Sequence, residues 1–514
     1  MSLTASSGRG PELFLGFAAA VGTDLERVIA KFNEALERVR YRTFTIRLAG
    51  LMKELPFLAP NLILEPVDEY IDSHMTQGNE LRKTTGRNDA LAILGIGEIQ
   101  KIRQESRAER GEILERSAYI LRSLKHPDEV ETLRTIYGRA FYLIAAYAPH
   151  DQRRDYLAQR IARSRNDTPM NKYYADAERL ILRDQEELGL THGQNLRGTY
   201  HRADVFVDTT NEEMLTKSVS RFVELIFGNT LHTPTRGEYG MFHAKAAALR
   251  SAELGRQVGA AISRDSGDIL AVGTNEVPRA GGGLYWCEDK PDMREFVLGR
   301  DSNDEHKRNL IADTLMRLQQ AGWLAPAKSK TKGGDLVKDA LAGDMPALSK
   351  QSLIRNVIEY GRAVHAEMAA IVDAARQGVS IAECNMYVTA FPCHLCARHI
   401  VAAGIHRVLY IEPYPKSLAA ELYPDSIRVE SVSIGDNQVS FEPFVGVAPR
   451  QYMYLFEASA RKDRDGNAIL FDSNKAQMRY RASERIYLEE EDLALRKLSS
   501  ILDRQGTLFG GEHA

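Results

Sequence analysis

Cysteine is scarce in this chain. Four thiols in 514 residues, Cys287, Cys384, Cys393 and Cys396, are too few for a disulfide framework and fit a reducing cytoplasm. Neither sign of charge is in excess, with Lys plus Arg at 67 and Asp plus Glu at 70. No bulk positive field advertises nucleic acid, which argues against a polymer substrate and is neutral toward a small nucleotide. No apolar run approaches the ~20 residues of a membrane span. The run Leu13 to Val21 follows Arg9 in the manner of a signal peptide. It covers only nine residues and leads into a helical pattern, so a buried first strand is expected instead. No internal repeat is visible, and a length beyond one core predicts two or three domains.

What is present alternates between strand and helix patterns. Residues 11–24 read as a strand, a glycine turn and a helix N-cap at Asp24, after which Leu25, Val28, Ile29, Phe32 and Leu36 recur at helical spacing. Ala118 to Leu121 is a strand candidate and Pro127 to Tyr137 a short helix. Phe141 to Ala148 is the continuous apolar run of a strand buried on both faces. Residues 176–188 read as helix, Ala203 to Asp208 as strand and Asn211 to Phe227 as a long amphipathic helix. The alternation predicts a doubly wound parallel sheet over residues 11–230.

The segments ILRSLKHPDEVETLR, FYLIAAYAP and RADVFVDTTNEEML resemble nucleoside monophosphate and dephospho-coenzyme A kinases. The resemblance implies a P-loop kinase-like first domain. Arg153, Arg154, Arg160, Arg163 and Arg165 fall where such kinases carry a phosphate-contacting lid, and equally suit a solvated helix face. The phosphate loop is degenerate. Gly16 and Gly22 are separated by five residues, and Thr23-Asp24 follows with no lysine, so the charge that would neutralise a transferring phosphate is missing. Gly16, Gly22 and Thr23 remain candidates to hold an anion on backbone amides. The expectation is a sensor or scaffold, gated by a nucleotide or an inhibitory RNA, with no kinase activity.

Residues 228–238 are polar and turn-rich and mark a boundary. The second domain, 236–450, opens with a helix from Met241 to Gly255. A β-hairpin follows over 257–278, turning at Asp265-Ser266-Gly267-Asp268. Glycine and lysine clusters over about 279–352 read as an insertion with flexible loops. Residues 451–514 read as a charged helical extension.

The chemistry is concentrated in His365-Ala366-Glu367 and Pro392-Cys393-His394-Leu395-Cys396. Alone, His365 suits a buried core histidine, and Cys-x-x-Cys suits a redox pair or a structural zinc equally well. Together they match the H-x-E and P-C-x-x-C pattern of zinc deaminases. His365, Cys393 and Cys396 give a zinc ion the three protein ligands and open position that water activation requires, and Glu367 is the proton shuttle. Both ligand groups fall at predicted helix starts, where the helix dipole favours thiolate and carboxylate. His394 and His399 read as surface residues. Cys287 and Cys384 read as ordinary thiols, with Cys287 a candidate for an accessory zinc site.

SAELGRQVGAAI, GTNEVP, VHAEMAAI, MYVTAFPCHLCA and AGIHRVLYIEPY resemble deoxycytidylate deaminases. Joined to the kinase-like half, they resemble the bacterial antiphage deoxycytidylate (dCTP/dCMP) deaminases. The resemblance implies a cytidine deaminase-like three-layer α/β/α second domain and Zn2+ as cofactor. The implied activity is hydrolytic deamination of dCTP or dCMP in the cytoplasm, which would deplete dCTP during infection. It implies that Asn275 bonds the sugar, that Tyr414 and Lys416 read sugar and phosphate, and that a homo-oligomer forms. Arg256 is a further candidate for phosphate, while Arg256 and Lys416 equally suit solvated charges. Backbone near Ala366 and Cys393 would hold the carbonyl edge of the base. A housekeeping dCMP deaminase is the alternative, as is a deaminase gated through the first domain.

Overall fold

Leu13–Ala19 (β1) is buried at every position, as an unbroken apolar run demands when helices cover both faces of a sheet. In this computed structural model, described over residues 11–110, 116–185, 192–342, 346–348, 352–414, 416–430, 437–458 and 460–504, β1 is central to one of two six-stranded sheets. The chain is of the α/β class. Its contacts divide it into two units, Met1–Glu238 with Pro443–Ala514, and Tyr239–Glu442.

In the first unit β1 is followed by β2 (Arg42–Arg47), β3 (Ser117–Arg122), β4 (Phe141–Tyr147) and β5 (Val205–Asp208). These strands are parallel, in the order β2-β3-β1-β4-β5. The helix Leu25–Arg38 starts as expected, Asp24 accepting the Arg27 amide. Helices Pro127–Tyr137 and Glu212–Ile226 also fall on the expected segments. Gly16 is not in a loop. It sits inside β1, where an added Cβ would come within 2.6 Å of Leu124 and 2.9 Å of Phe141, so its role is close packing and not phosphate binding.

The segment expected as a separate C-terminal extension is part of this unit. Leu498 and Leu502 of the helix Glu484–Arg504 join a core with Leu81, Leu91 and Ile93. Glu491 is fully buried and pairs with Arg103 at 2.7 Å, while Arg103 also grips Glu12 at 2.7 Å. The apolar stripe of that helix, diluted by charge in the sequence, is what docks it.

In the second unit the strands are β6 (Gly259–Ser263), β7 (Ile269–Thr274), β8 (Asn385–Ala390), β9 (Arg407–Glu412), β10 (Ile427–Val429) and β11 (Val439–Pro443). Their order is β10-β11-β9-β8-β6-β7. The sixth strand of the first unit's sheet is the two-residue β12 (Gly446–Val447), antiparallel to β5 within that same unit. The expected hairpin is β6–β7, antiparallel with a register shift at Ile262/Ser263. β6 also pairs antiparallel with β8, while β8 pairs parallel with β9. A Cβ on Gly259 would meet the backbone of Ala244, and one on Gly273 the backbone of Ala366. Gly273 lies opposite Ala260, the neighbour of Gly259, so these two glycines face opposite sides of the sheet. Helices Arg236–Ala248 and Ala366–Gln377 thus cover the two faces, giving three layers. The insertion is more regular than its glycines and lysines suggest, with helices Ser302–Gln320 and Gly333–Ala342. Among the described residues, no helix is long and apolar enough to cross a membrane.

Candidate active site

β8 ends at Ala390, and a tight turn through Pro392 delivers Cys393 as N-cap of the helix His394–Ala402. His365 is likewise the N-cap of Ala366–Gln377. The two helix starts face each other. His365 Nδ1 lies 3.2 Å from Cys393 Sγ and 3.4 Å from Cys396 Sγ. The ligand atoms of these three residues lie within 4.8 Å of one another, close enough for one ion to touch all three. Two soft thiolates and an imidazole are a donor set suited to zinc.

The three side chains are also coupled electrostatically. Hydrogen bonding to Cys393 raises His365 to about 9 despite burial. Cys393 is held down to about 4 by its contacts with Cys396 and His365, while burial and the Cys393 sulfur push Cys396 up. Glu367 is 4% exposed. Burial raises its carboxyl above the ordinary value, the charge of Cys393 reinforces this, and His365 opposes it. Glu367 therefore holds and releases protons nearer neutral pH than a surface glutamate does.

These residues open onto a cavity of about 270 Å³ lined by Glu253, Arg256, Asn275, Ile358, Ala366, Phe391 and Tyr414 together with His365, Glu367 and Cys393. Asn275, Arg256, Ala366 and Tyr414 thus meet at one place. Asn275 is more structural than the sequence suggests. Its Oδ1 accepts the Val258 amide at 2.7 Å and its Nδ2 donates to the Arg256 carbonyl at 2.8 Å, leaving one donor and one lone pair for a ligand. Arg256 sits at the rim between Glu412, at 3.2 Å, and the Tyr414 ring, 5.2 Å from its centroid.

Lys416 does not line this cavity. It lines a neighbouring one with Asp304, Lys307, Arg308 and Arg355. The loop that carries it is anchored to the cysteine turn, because Ser417 Oγ donates to the Pro392 carbonyl at 2.7 Å. Glu253 was not anticipated. It is a lone carboxylate without a recognisable spacing, raised by burial and by Glu295, Asp301 and Glu276. Ile358 carries no sequence signal either, lying just past the insertion. Glu253, Glu295 and Asp301 form a second group of candidate cation ligands among the described residues. Cys287 is exposed and belongs to neither group. His394 and His399 are half-buried and outside the ligand set.

The loop after β1 differs from an anion cradle. The Thr23 amide donates to the Ala20 carbonyl at 3.0 Å. The Val21 amide donates at 2.7 Å to Asp184, a fully buried carboxylate that also pairs with Lys125 at 2.7 Å. Gly22 has φ +87°, and a Cβ there would fall 2.4 Å from the Arg153 carbonyl. A protein carboxylate and a protein backbone fill the space at Val21 and Gly22, which opposes phosphate binding at Gly22 and Thr23.

The chain is 48% identical over 54 residues to the deoxycytidylate deaminase of Enterobacteria phage T2, covering 10% of this chain and 29% of that protein. It is 38% identical over 128 residues to ComE operon protein 2 of Bacillus subtilis (strain 168), covering 24% and 66%. To human deoxycytidylate deaminase it is 38% identical over 89 residues, covering 17% and 44%. The chain spans less than a third of the length of the phage T2 and T4 deaminases that it matches. Among solved structures it is similar to the dCMP deaminase of cyanophage S-TIM5 in complex with dCMP and dUMP. That match has a TM-score of 0.22 and 18% identity, and covers 41% of this chain and 98% of that one. The family model that matches, over residues 234–412, describes the zinc-binding region of cytidine and deoxycytidylate deaminases.

Proposed function

We propose that the second unit hydrolytically deaminates free deoxycytidine nucleotides, dCTP or dCMP, releasing deoxyuridine nucleotides and ammonia. The observation that carries this reading is the buried carboxylate of Glu367 beside His365, Cys393 and Cys396 in one nucleoside-sized cavity. His365, Cys393 and Cys396 would hold zinc, which when bound lowers the pKa of a water toward ~7 and supplies the nucleophile. Glu367 takes a proton from the attacking water and passes it to N3 of cytosine, then takes the proton of the hydroxyl added at C4 and delivers it to the amine, which leaves as ammonia as the C4 carbonyl forms. Main chain at Ala366 and Cys393, at two helix starts, faces the carbonyl edge of the base. Tyr414, Arg256 and the remaining valences of Asn275 read the sugar. A cavity of about 270 Å³ fits a nucleoside better than a polymer.

The strand order β2-β3-β1-β4-β5 and the helix after β1 support a kinase-like reading of the first unit. The Asp184 carboxylate in its loop supports a sensor or scaffold that gates the deaminase in response to a nucleotide or RNA. Such gating suits an enzyme that depletes dCTP in phage-infected cytoplasm, and the joint resemblance of both halves supports that role over housekeeping dCMP turnover. A homo-oligomer belongs to the same reading. Ammonia release by zinc-loaded protein, absent in Glu367→Ala, tests the activity. Plaque counts on cells expressing each version test the antiphage role.

A further inference from the structure

The neighbouring cavity of about 350 Å³ is lined by Lys307, Arg308, Arg355 and Lys416 against one carboxylate, Asp304. Asp304 forms its close ion pair with Lys307, at 2.7 Å, and its single charge is shared with Arg308 and Arg355. Among the described residues, Arg308, Arg355 and Lys416 have no carboxylate within ion-pair reach. Four cations of one sign around a concave surface repel one another, and that arrangement is stabilised when a multivalent anion occupies it. Arginine pairs bidentately with phosphate, while lysine acts as a point charge.

The position of this cavity selects the anion. Two chain segments run from it into the zinc cavity. Arg355 lines the basic cavity and Ile358 the zinc cavity, and likewise Lys416 and Tyr414. Three and two residues span at most about 11 and 7 Å. Asn303 ties the helix bearing Lys307 and Arg308 to the first segment, donating to the Val357 carbonyl at 3.2 Å. Ser417 ties the second to the cysteine turn. The basic cavity is therefore fixed to the rim from which a nucleotide's phosphates would emerge.

We propose that this cavity is a polyphosphate subsite that takes the β- and γ-phosphates of the nucleotide being deaminated, so that Lys307, Arg308, Arg355 and Lys416 select triphosphate over monophosphate. The inference rests on the deaminase reading above and adds that dCTP is preferred to dCMP. Three of the four cations come from the insertion or the turn after it, apart from the residues that hold the base.

The test uses the full, zinc-loaded chain and the variants Arg355→Gln and Arg308→Gln. Inorganic tripolyphosphate is titrated calorimetrically, and kcat/KM is measured for dCTP and dCMP. The expected result is tripolyphosphate binding that either variant weakens, with the dCTP-to-dCMP ratio of kcat/KM falling by roughly tenfold or more. Absence of tripolyphosphate binding, or binding that neither variant alters, overturns the subsite. Weakened binding with an unchanged ratio overturns its role in reading substrate. If the chain deaminates no deoxycytidine nucleotide, the reading of the zinc cavity fails separately, while the titration still decides whether the subsite exists.

Discussion

Gly273 on β7 lies directly beneath Ala366, the first residue of the helix that follows His365. A Cβ at Gly273 would fall 2.1 Å from the Ala366 carbonyl oxygen and 2.4 Å from the Ala370 amide. Sheet and helix backbones are thus nearly in contact where His365 and Glu367 are presented. Any side chain at 273 must move that helix away from the cysteine turn. Gly273→Ala is expected to destabilise the protein by about 1–3 kcal/mol and to lower zinc content alongside activity. Zinc stoichiometry and the thermal midpoint check this, and a variant with full zinc and unchanged Tm would show that the contact is slack.

Ligand identity is tested by Cys393→Ser. A hydroxyl in place of the thiolate removes a soft donor, so zinc content after purification should fall well below that of the parent chain. Metal analysis by mass spectrometry reads this directly. Full occupancy together with full activity would remove Cys393 from the ligand set.

The fully buried Asp184 holds the Val21 amide and Lys125 across the loop after β1. Asp184→Ala leaves the Lys125 ammonium without its partner, which should cost on the order of 3–5 kcal/mol in chemical denaturation. Because the carboxylate stands where an anion cradle is needed and no lysine follows Gly22, the protein should transfer no phosphoryl group from ATP to any deoxynucleoside monophosphate. Zinc-independent transfer would contradict this account of the first unit.

His126 caps the helix Pro127–Tyr137, its Nδ1 accepting the Asp128 amide at 3.2 Å, a role only the unprotonated ring can fill. Burial lowers its pKa from 6.5 to about 4, outweighing the opposing charge of Asp128. Between those values the unfolded chain binds a proton that the folded one does not, so this contribution to stability falls as pH drops from 6.5 toward 4. His126→Asn keeps a capping side chain without the titration. Urea midpoints at pH 7 and pH 5 should differ less in the variant than in the parent. An equal difference would remove His126 from the pH response.

Strands β1, β3, β4 and β5 and both ligand groups were legible in the sequence because each depends on local pattern. β1 and β4 are continuous apolar runs, and His365 and Cys393 precede helices with clear starts. β2 (Arg42–Arg47) and the helices Val67–Thr85 and Ala90–Arg110 were not read. β2 is largely solvent-facing, and the partly polar helix faces bury against one another, so neither shows a clean period. The packing of Gly16 and the cavity of Lys416 were hidden for a related reason. Which cavity or packing surface a residue meets depends on partners distant in sequence, such as Phe141 for Gly16 and Arg355 for Lys416. The Asp184 plug in the loop after β1, from a helix more than 160 positions away, left no local signal at all.

The most direct test of the central claim is ammonia release by zinc-loaded protein across dCMP, dCDP, dCTP, CTP and single-stranded DNA, with Glu367→Ala alongside. The account predicts release from free deoxycytidine nucleotides, none from single-stranded DNA, and none from the variant despite retained zinc. Release from DNA alone, no release from any free nucleotide, or substantial turnover by Glu367→Ala would contradict it.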